Sequence, residues 1–210
     1  MTPTPLWRLG LPLLLQTLII LAVPAQAMLT YFTGRTVIVQ TAPVDPYDLL
    51  RGYSQTLNYN ISSVDDLAKL AGWDDLPLAD QTTRSRPTQP PRPAPGTPIY
   101  VVLEQPRDST NETSDEIPDA WKPIRVSAKP PSDLAANQVS LRGIVQYSWV
   151  EYGLERYYMP EDQRQQINDE INQLQRQFGE NPPFVVEVRI RKNGHSLPVS
   201  LWVGDRNYRF

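Results

Sequence analysis

No cysteine occurs anywhere in this chain, and histidine occurs once, as His195. The first absence removes disulfide bonds, thiol nucleophiles and cysteine zinc sites together. It does not fix the compartment, because exported proteins can also lack disulfides. The single histidine excludes any pair of histidine ligands within one chain. No Gly-rich phosphate loop and no G-x-S-x-G elbow is present. Positive charge is also short: 20 Lys+Arg stand against 23 Asp+Glu, for a formal net charge of −3. No run of Lys or Arg offsets that balance, so nucleic acid is not an expected partner. Proline is the residue in excess, at 22, which argues for long irregular stretches and against a helical bundle.

Charge is missing most completely at the N-terminus. Arg8 is the one charged side chain before Arg35. Between them runs LPLLLQTLIILAVPAQAMLTYF, and about 20 mostly apolar residues in a helix suffice to cross a bilayer core. Trp7 lies at one end and Tyr31 and Phe32 at the other, where aromatic side chains favour the interface. The expectation is a membrane anchor over residues 1–34, contacting lipid through residues 9–32. The rival is a cleaved signal peptide, for which Ala25-Gln26-Ala27 supplies a small-x-small site. The apolar run continues past that site to Phe32, which favours retention. One arginine on each flank leaves the orientation at the default, N-terminus inside.

Residues 35–210 read as one extracytoplasmic, β-rich domain. Strands are expected over residues 35–41, 53–61, 99–103, 121–127 and 139–150, with a short helical turn over 65–71. Two loops interrupt them. Residues 77–98 are Pro-rich and include RPTQPPRPAP, which suits extended polyproline II. Residues 104–120 carry six acidic side chains and one arginine. Their spacing does not fit a calcium loop, so a solvated acidic loop is the reading. From Pro160 to Phe178, Ile167, Ile171, Leu174 and Phe178 form one apolar stripe on a Gln-rich helix, which should cover the domain's own sheet. Gly179 and Pro182-Pro183 end it. In residues 184–191, Val186, Val188 and Ile190 alternate with Glu187, Arg189 and Arg191. Asn193-Gly194 then signals a hairpin into a partner strand over residues 197–203. The expected fold class is α+β, mainly β: one N-terminal transmembrane helix, then a compact antiparallel β domain of about six to eight strands with one amphipathic helix.

Three stretches carry a family resemblance. The first is Val44-Asp45-Pro46-Tyr47-Asp48-Leu49-Leu50-Arg51-Gly52, leading into Tyr53-Ser54-Gln55-Thr56-Leu57-Asn58-Tyr59. The second includes Leu141-Arg142-Gly143. The third runs Tyr152-Gly153-Leu154-Glu155-Arg156-Tyr157-Tyr158-Met159-Pro160-Glu161. Together with the N-terminal apolar segment, they resemble the bacterial membrane-anchored family named for its GDYxxLxY motif. Gly52, Leu57 and Tyr59 match the naming motif; Tyr53 stands for its Asp and Ser54 for its first Tyr. The positions that the resemblance singles out are Asp48, Arg51, Gly52, Leu57, Tyr59, Arg142, Gly143, Glu155, Arg156 and Tyr157. It implies a bacterial plasma-membrane location with the domain on the periplasmic side, and it assigns no activity, cofactor or metal.

The residues themselves supply little chemistry. Glu151 and Glu155 are four apart, but Tyr152-Gly153 breaks a helix, and surface charge or an ion pair with Arg156 is the plainer reading. His195, just after the turn, reads as an exposed polar residue. The expected function is therefore a non-enzymatic interaction or assembly component of an envelope membrane complex, with another integral membrane protein as a possible partner. The alternative is a membrane-tethered hydrolase or signal-peptidase-like β domain. That would need a serine nucleophile and a lysine or histidine base, and Lys69, Lys122, Lys129 and Lys192 lack a recognisable setting for it.

Overall fold

A computed structural model describes residues 7–42, 54–56, 58–77, 92–107, 117–158, 164–178 and 183–209. The central part of the Pro-rich loop, most of the acidic loop, and Asp48, Arg51, Gly52 and Leu57 lie outside these residues. Helix α1, Trp7–Thr33, opens the chain, and residues Gly10–Thr33 are long and apolar enough to cross a membrane. Strand β1, Arg35–Ala42, begins one residue later. Then come β2 (Ser54–Thr56), β3 (Asn58–Tyr59), α2 (Val64–Leu67), β4 (Pro98–Glu104), β5 (Lys122–Ser127), β6 (Gln138–Val145), β7 (Val150–Glu151) and β8 (Arg156–Tyr158). Helix α3 (Arg164–Phe178), β9 (Phe184–Ile190), β10 (Ser196–Val203) and β11 (Arg206–Arg209) complete the order. The expected α+β class with dominant antiparallel sheet is observed.

The strands form a sheet ordered β11-β10-β9-β1-β3, a sheet ordered β5-β4-β6-β7 and a separate β2-β8 ladder, and every strand pair is antiparallel. Alternation dictates the inner face of the first sheet. Val186, Val188 and Ile190 are 0–2% exposed, and their cross-strand partners Val39 and Val37 are equally buried. The second sheet adds Ile99, Val101, Leu103 and Leu141 to the same continuous core, which also takes in Val64 and Leu67 of α2. Burying each such side chain stabilises by about 1.5–3 kcal/mol. A backbone bond from Trp121 N–H to the Ile38 carbonyl, 2.8 Å, links the two sheets.

Local chemistry explains the ends of the elements. Ser63 caps α2 by accepting the Asp66 N–H, relieving one of the unpaired donors of the first turn. In α3, Ile171 is buried and Leu174 half-buried, while Glu170 accepts from the Tyr208 hydroxyl and pairs with Arg206. Ile171 and Leu174 thus pack against the domain's own core, although Phe178 at the end of the stripe is 49% exposed. The hairpin between β9 and β10 has a three-residue loop. Arg191 N–H donates to the His195 carbonyl, Gly194 N–H to the Arg191 carbonyl, and Gly194 takes φ 83°. A type I turn followed by a left-handed residue has this geometry, which glycine permits without strain. Pro198 lacks an N–H for the ladder, and a register shift follows it in β10.

The joint between α1 and β1 has no slack. Thr30 is 3% exposed, and Gly34 N–H donates to its carbonyl at 2.9 Å. A side chain at Gly34 would stand 2.5 Å from that carbonyl oxygen and 3.0 Å from Arg189 Cβ. The Arg189 guanidinium lies over the Tyr31 ring at 5.7 Å and reaches the Gly34 carbonyl at 3.4 Å. Arg35, the next residue, stacks on Trp121 at 4.9 Å and donates to Gln105 and to the Ala136 carbonyl. Helix and sheet are therefore locked together within one residue.

Candidate functional site

The three sequence stretches meet in space. Ser54, Gln55 and Thr56 of β2 pair with Tyr158, Tyr157 and Arg156 of β8. Asn58 and Tyr59 of β3 pair instead with Ala42 and Thr41 of β1. Two tyrosines then clasp the same pair of segments reciprocally. The Tyr59 hydroxyl donates to the Leu154 carbonyl at 2.8 Å, and the Tyr152 hydroxyl donates to the Ile61 carbonyl at 2.6 Å. Both rings are buried. Burial first, and the Glu155 carboxylate second, push both phenols well above the ordinary tyrosine value, so each stays a neutral donor. Glu155 is itself 8% exposed and accepts the Tyr152 N–H at 2.6 Å.

The second stretch supports the clasp from below. A Cβ on Gly143 would overlap Val150 and stand 2.8–2.9 Å from the Tyr152 ring. Only a residue with no side chain lets that ring lie across the strand. One step back, Arg142 N–H donates to the Gly194 carbonyl at 3.1 Å, so β6 receives the β9–β10 turn. Between strand and turn opens a cleft of about 450 Å³. Its strand side is Arg142, Ile144 and Glu151; its turn side is Gly194, His195 and Ser196; Tyr152 and Gly153 close one wall.

The sequence profile described as GDYXXLXY protein matches residues 16–201. The chain belongs to the GDYXXLXY family. No curated protein and no solved structure matches it.

Within this GDYXXLXY chain, the family positions divide by what they touch. Tyr59, Gly143 and Glu155 hold the clasp together. Arg156 and Tyr157 contribute ladder backbone in β8. Arg142 is half-buried on the cleft and makes no ion pair among the described residues. The remaining four positions lie outside the described residues. Two readings of the sequence are corrected. Glu155 is not surface charge, because its carboxylate is spent on a backbone N–H inside the fold. His195 is not an exposed turn tip, because the turn docks on Arg142 and leaves the imidazole half-buried at the cleft. Tyr152 lay in the third stretch without being singled out; its spacing from Glu155 gives no hint of a contact made through the backbone.

Among the described residues, no group of three or more His, Asp or Glu could hold a metal ion. Lys69 pairs with Asp66 at 2.7 Å in the open, and that hydrogen bond raises its pKa. A lysine general base needs the opposite shift. Lys122, Lys129 and Lys192 are exposed.

Proposed function

We propose that this protein is held in the bacterial inner membrane by α1, N-terminus inside, with its β domain on the periplasmic side. There it serves as a non-enzymatic interaction or assembly component of an envelope membrane complex. One observation carries the reading: α1 bears hydrogen-bonding groups at bilayer depth that it does not satisfy itself. Gln16 is exposed, and its side chain has no hydrogen-bond partner among the described residues. Thr17 behaves differently, returning its hydroxyl to the Leu13 carbonyl at 2.8 Å. Pro24 lies inside the helix and has no N–H, so the Ile20 carbonyl loses its helical donor.

Gln16, Ile20 and Pro24 are four apart and share one face. That face continues outward to Ala27 and Thr30, the side that packs under the domain. In hydrocarbon a free amide and a free carbonyl favour a neighbouring helix that can pair with them. The partner that fits is another integral membrane protein presenting a polar side chain at that depth, beneath the domain. A photo-crosslinking residue placed at position 20 in the native membrane tests this. A specific adduct with another membrane protein, lost on Gln16→Leu, supports the proposal. Adducts with lipid alone overturn it.

A further inference from the structure

The cleft between β6–β7 and the β9–β10 turn holds opposite charges that do not meet. Ile144 pairs with Glu151 across the β6–β7 ladder, so both project from one face. Arg142, two residues back in β6, shares that face. Arg142 and Glu151 are therefore diagonal neighbours, roughly 7–8 Å apart by ladder geometry. Their long side chains could close that gap, yet no ion pair joins them. The Glu151 carboxylate is instead held by Gln146 at 2.9 Å. His195 and Ser196 face the cleft from the turn on the Arg142 side. Arg142, His195 and Glu151 thus line one open volume of about 450 Å³ without an ion pair between Arg142 and Glu151.

The register fixes where this cleft opens. Ser196 pairs with Ile190, and Ile190 pairs with Arg35, the second residue after α1. Two strand spacings of about 4.8 Å put Ser196 roughly 10 Å from the helix exit. If α1 spans the bilayer, as proposed above, the cleft stands at the membrane surface.

We propose that this cleft binds the head group of a phospholipid-like amphiphile, one with a phosphate and, a few bonds away, an ammonium or hydroxyl donor. Arg142 is the phosphate ligand, since a guanidinium fork matches two phosphate oxygens. His195 and Ser196 add hydrogen-bond donors beside it. Glu151 accepts from the ammonium or hydroxyl and selects against a bare anion. The glycines at 153 and 194, at φ 76° and 83°, keep the walls free of side chains.

The single histidine makes the test direct. The full chain, solubilised in a maltoside detergent without phosphate, is titrated while the imidazole resonances of His195 are followed by NMR. Soluble glycerophosphoethanolamine is the probe, and inorganic phosphate is the control arm. The expected result is a saturable shift with glycerophosphoethanolamine, at least tenfold weaker in Arg142→Gln. Glu151→Gln should weaken glycerophosphoethanolamine and leave inorganic phosphate unchanged. Both variants should keep the near-ultraviolet circular dichroism of the folded chain; if Arg142→Gln does not, Arg142→Met preserves the packed stem and replaces it. No saturable shift, or a shift indifferent to both variants, overturns the proposal. Equal binding of inorganic phosphate overturns the head-group assignment in favour of a free anion site. Because the probes are soluble, failure of the cleft and failure of the membrane reading are observed separately.

Discussion

Tyr59 and Tyr152 each spend a hydroxyl on a carbonyl of the segment that carries the other. Removing either hydroxyl leaves a buried carbonyl without its donor, at a cost of about 1–2 kcal/mol. Tyr59→Phe and Tyr152→Phe should each lower the urea midpoint. Because both bonds close the same pair of segments, the double variant should depart from the sum of the singles. The sign of the pH effect follows from the raised phenol values. The folded state holds both protons where the unfolded chain releases them, near the ordinary tyrosine value of about 10. This contribution to stability is complete below that value and is lost as the pH climbs above it. Ultraviolet titration should show these two tyrosines ionising only with unfolding; ionisation in the intact fold would contradict the burial. Tyr59 was legible in the sequence as a family position. The surface-charge reading of Glu155 failed, because the residue is buried and accepts a backbone N–H, and side-chain spacing says nothing about such bonds. His195 was misread for a similar reason: the turn docks on Arg142, and only tertiary structure supplies that contact.

At the scale of elements, strong periodicity carried furthest. The alternation in β9 and the Asn193-Gly194 signal located the hairpin, and the middle of the α3 stripe, Ile171 and Leu174, located the packed part of that helix. Mixed or polar stretches did not. Residues 53–61 read as one strand, but β2 and β3 join different ladders. β11 is RNYR, a polar edge with no apolar alternation, held by Glu170 of α3 through Arg206 and Tyr208. Residues 139–150 read as one continuous stretch, whereas a turn separates β6 from β7. The α1–β1 joint was invisible beforehand, because a glycine after an apolar run marks an end without saying how tightly the ends pack. Gly34→Val should press on the Thr30 carbonyl and Arg189 and loosen the helix end by about 1–3 kcal/mol. Hydrogen exchange should then speed at Gly34's successor and at the last turn of α1, while β9 and β10 keep their protection. Unchanged exchange at the joint would show that helix and sheet are not coupled there.

At the scale of the whole molecule, the apolar helix, the one-residue joint and the motif clasp form one chain of consequences. The helix is long and apolar enough to cross a membrane, the joint removes freedom between helix and sheet, and β6, braced by the clasp, receives the β9–β10 turn across the cleft. The long apolar helix and the β-rich domain were legible in the sequence. The cleft was not, since it joins residues 142–153 to residues 194–196 across two sheets. Every functional step in this account depends on α1 remaining attached and spanning a bilayer. Fractionation of the native protein, with protease accessibility and intact mass on the same sample, tests that most directly. The expected result is a membrane-bound species of full mass, digested only from the periplasmic side. A soluble species beginning near Met28 would contradict it.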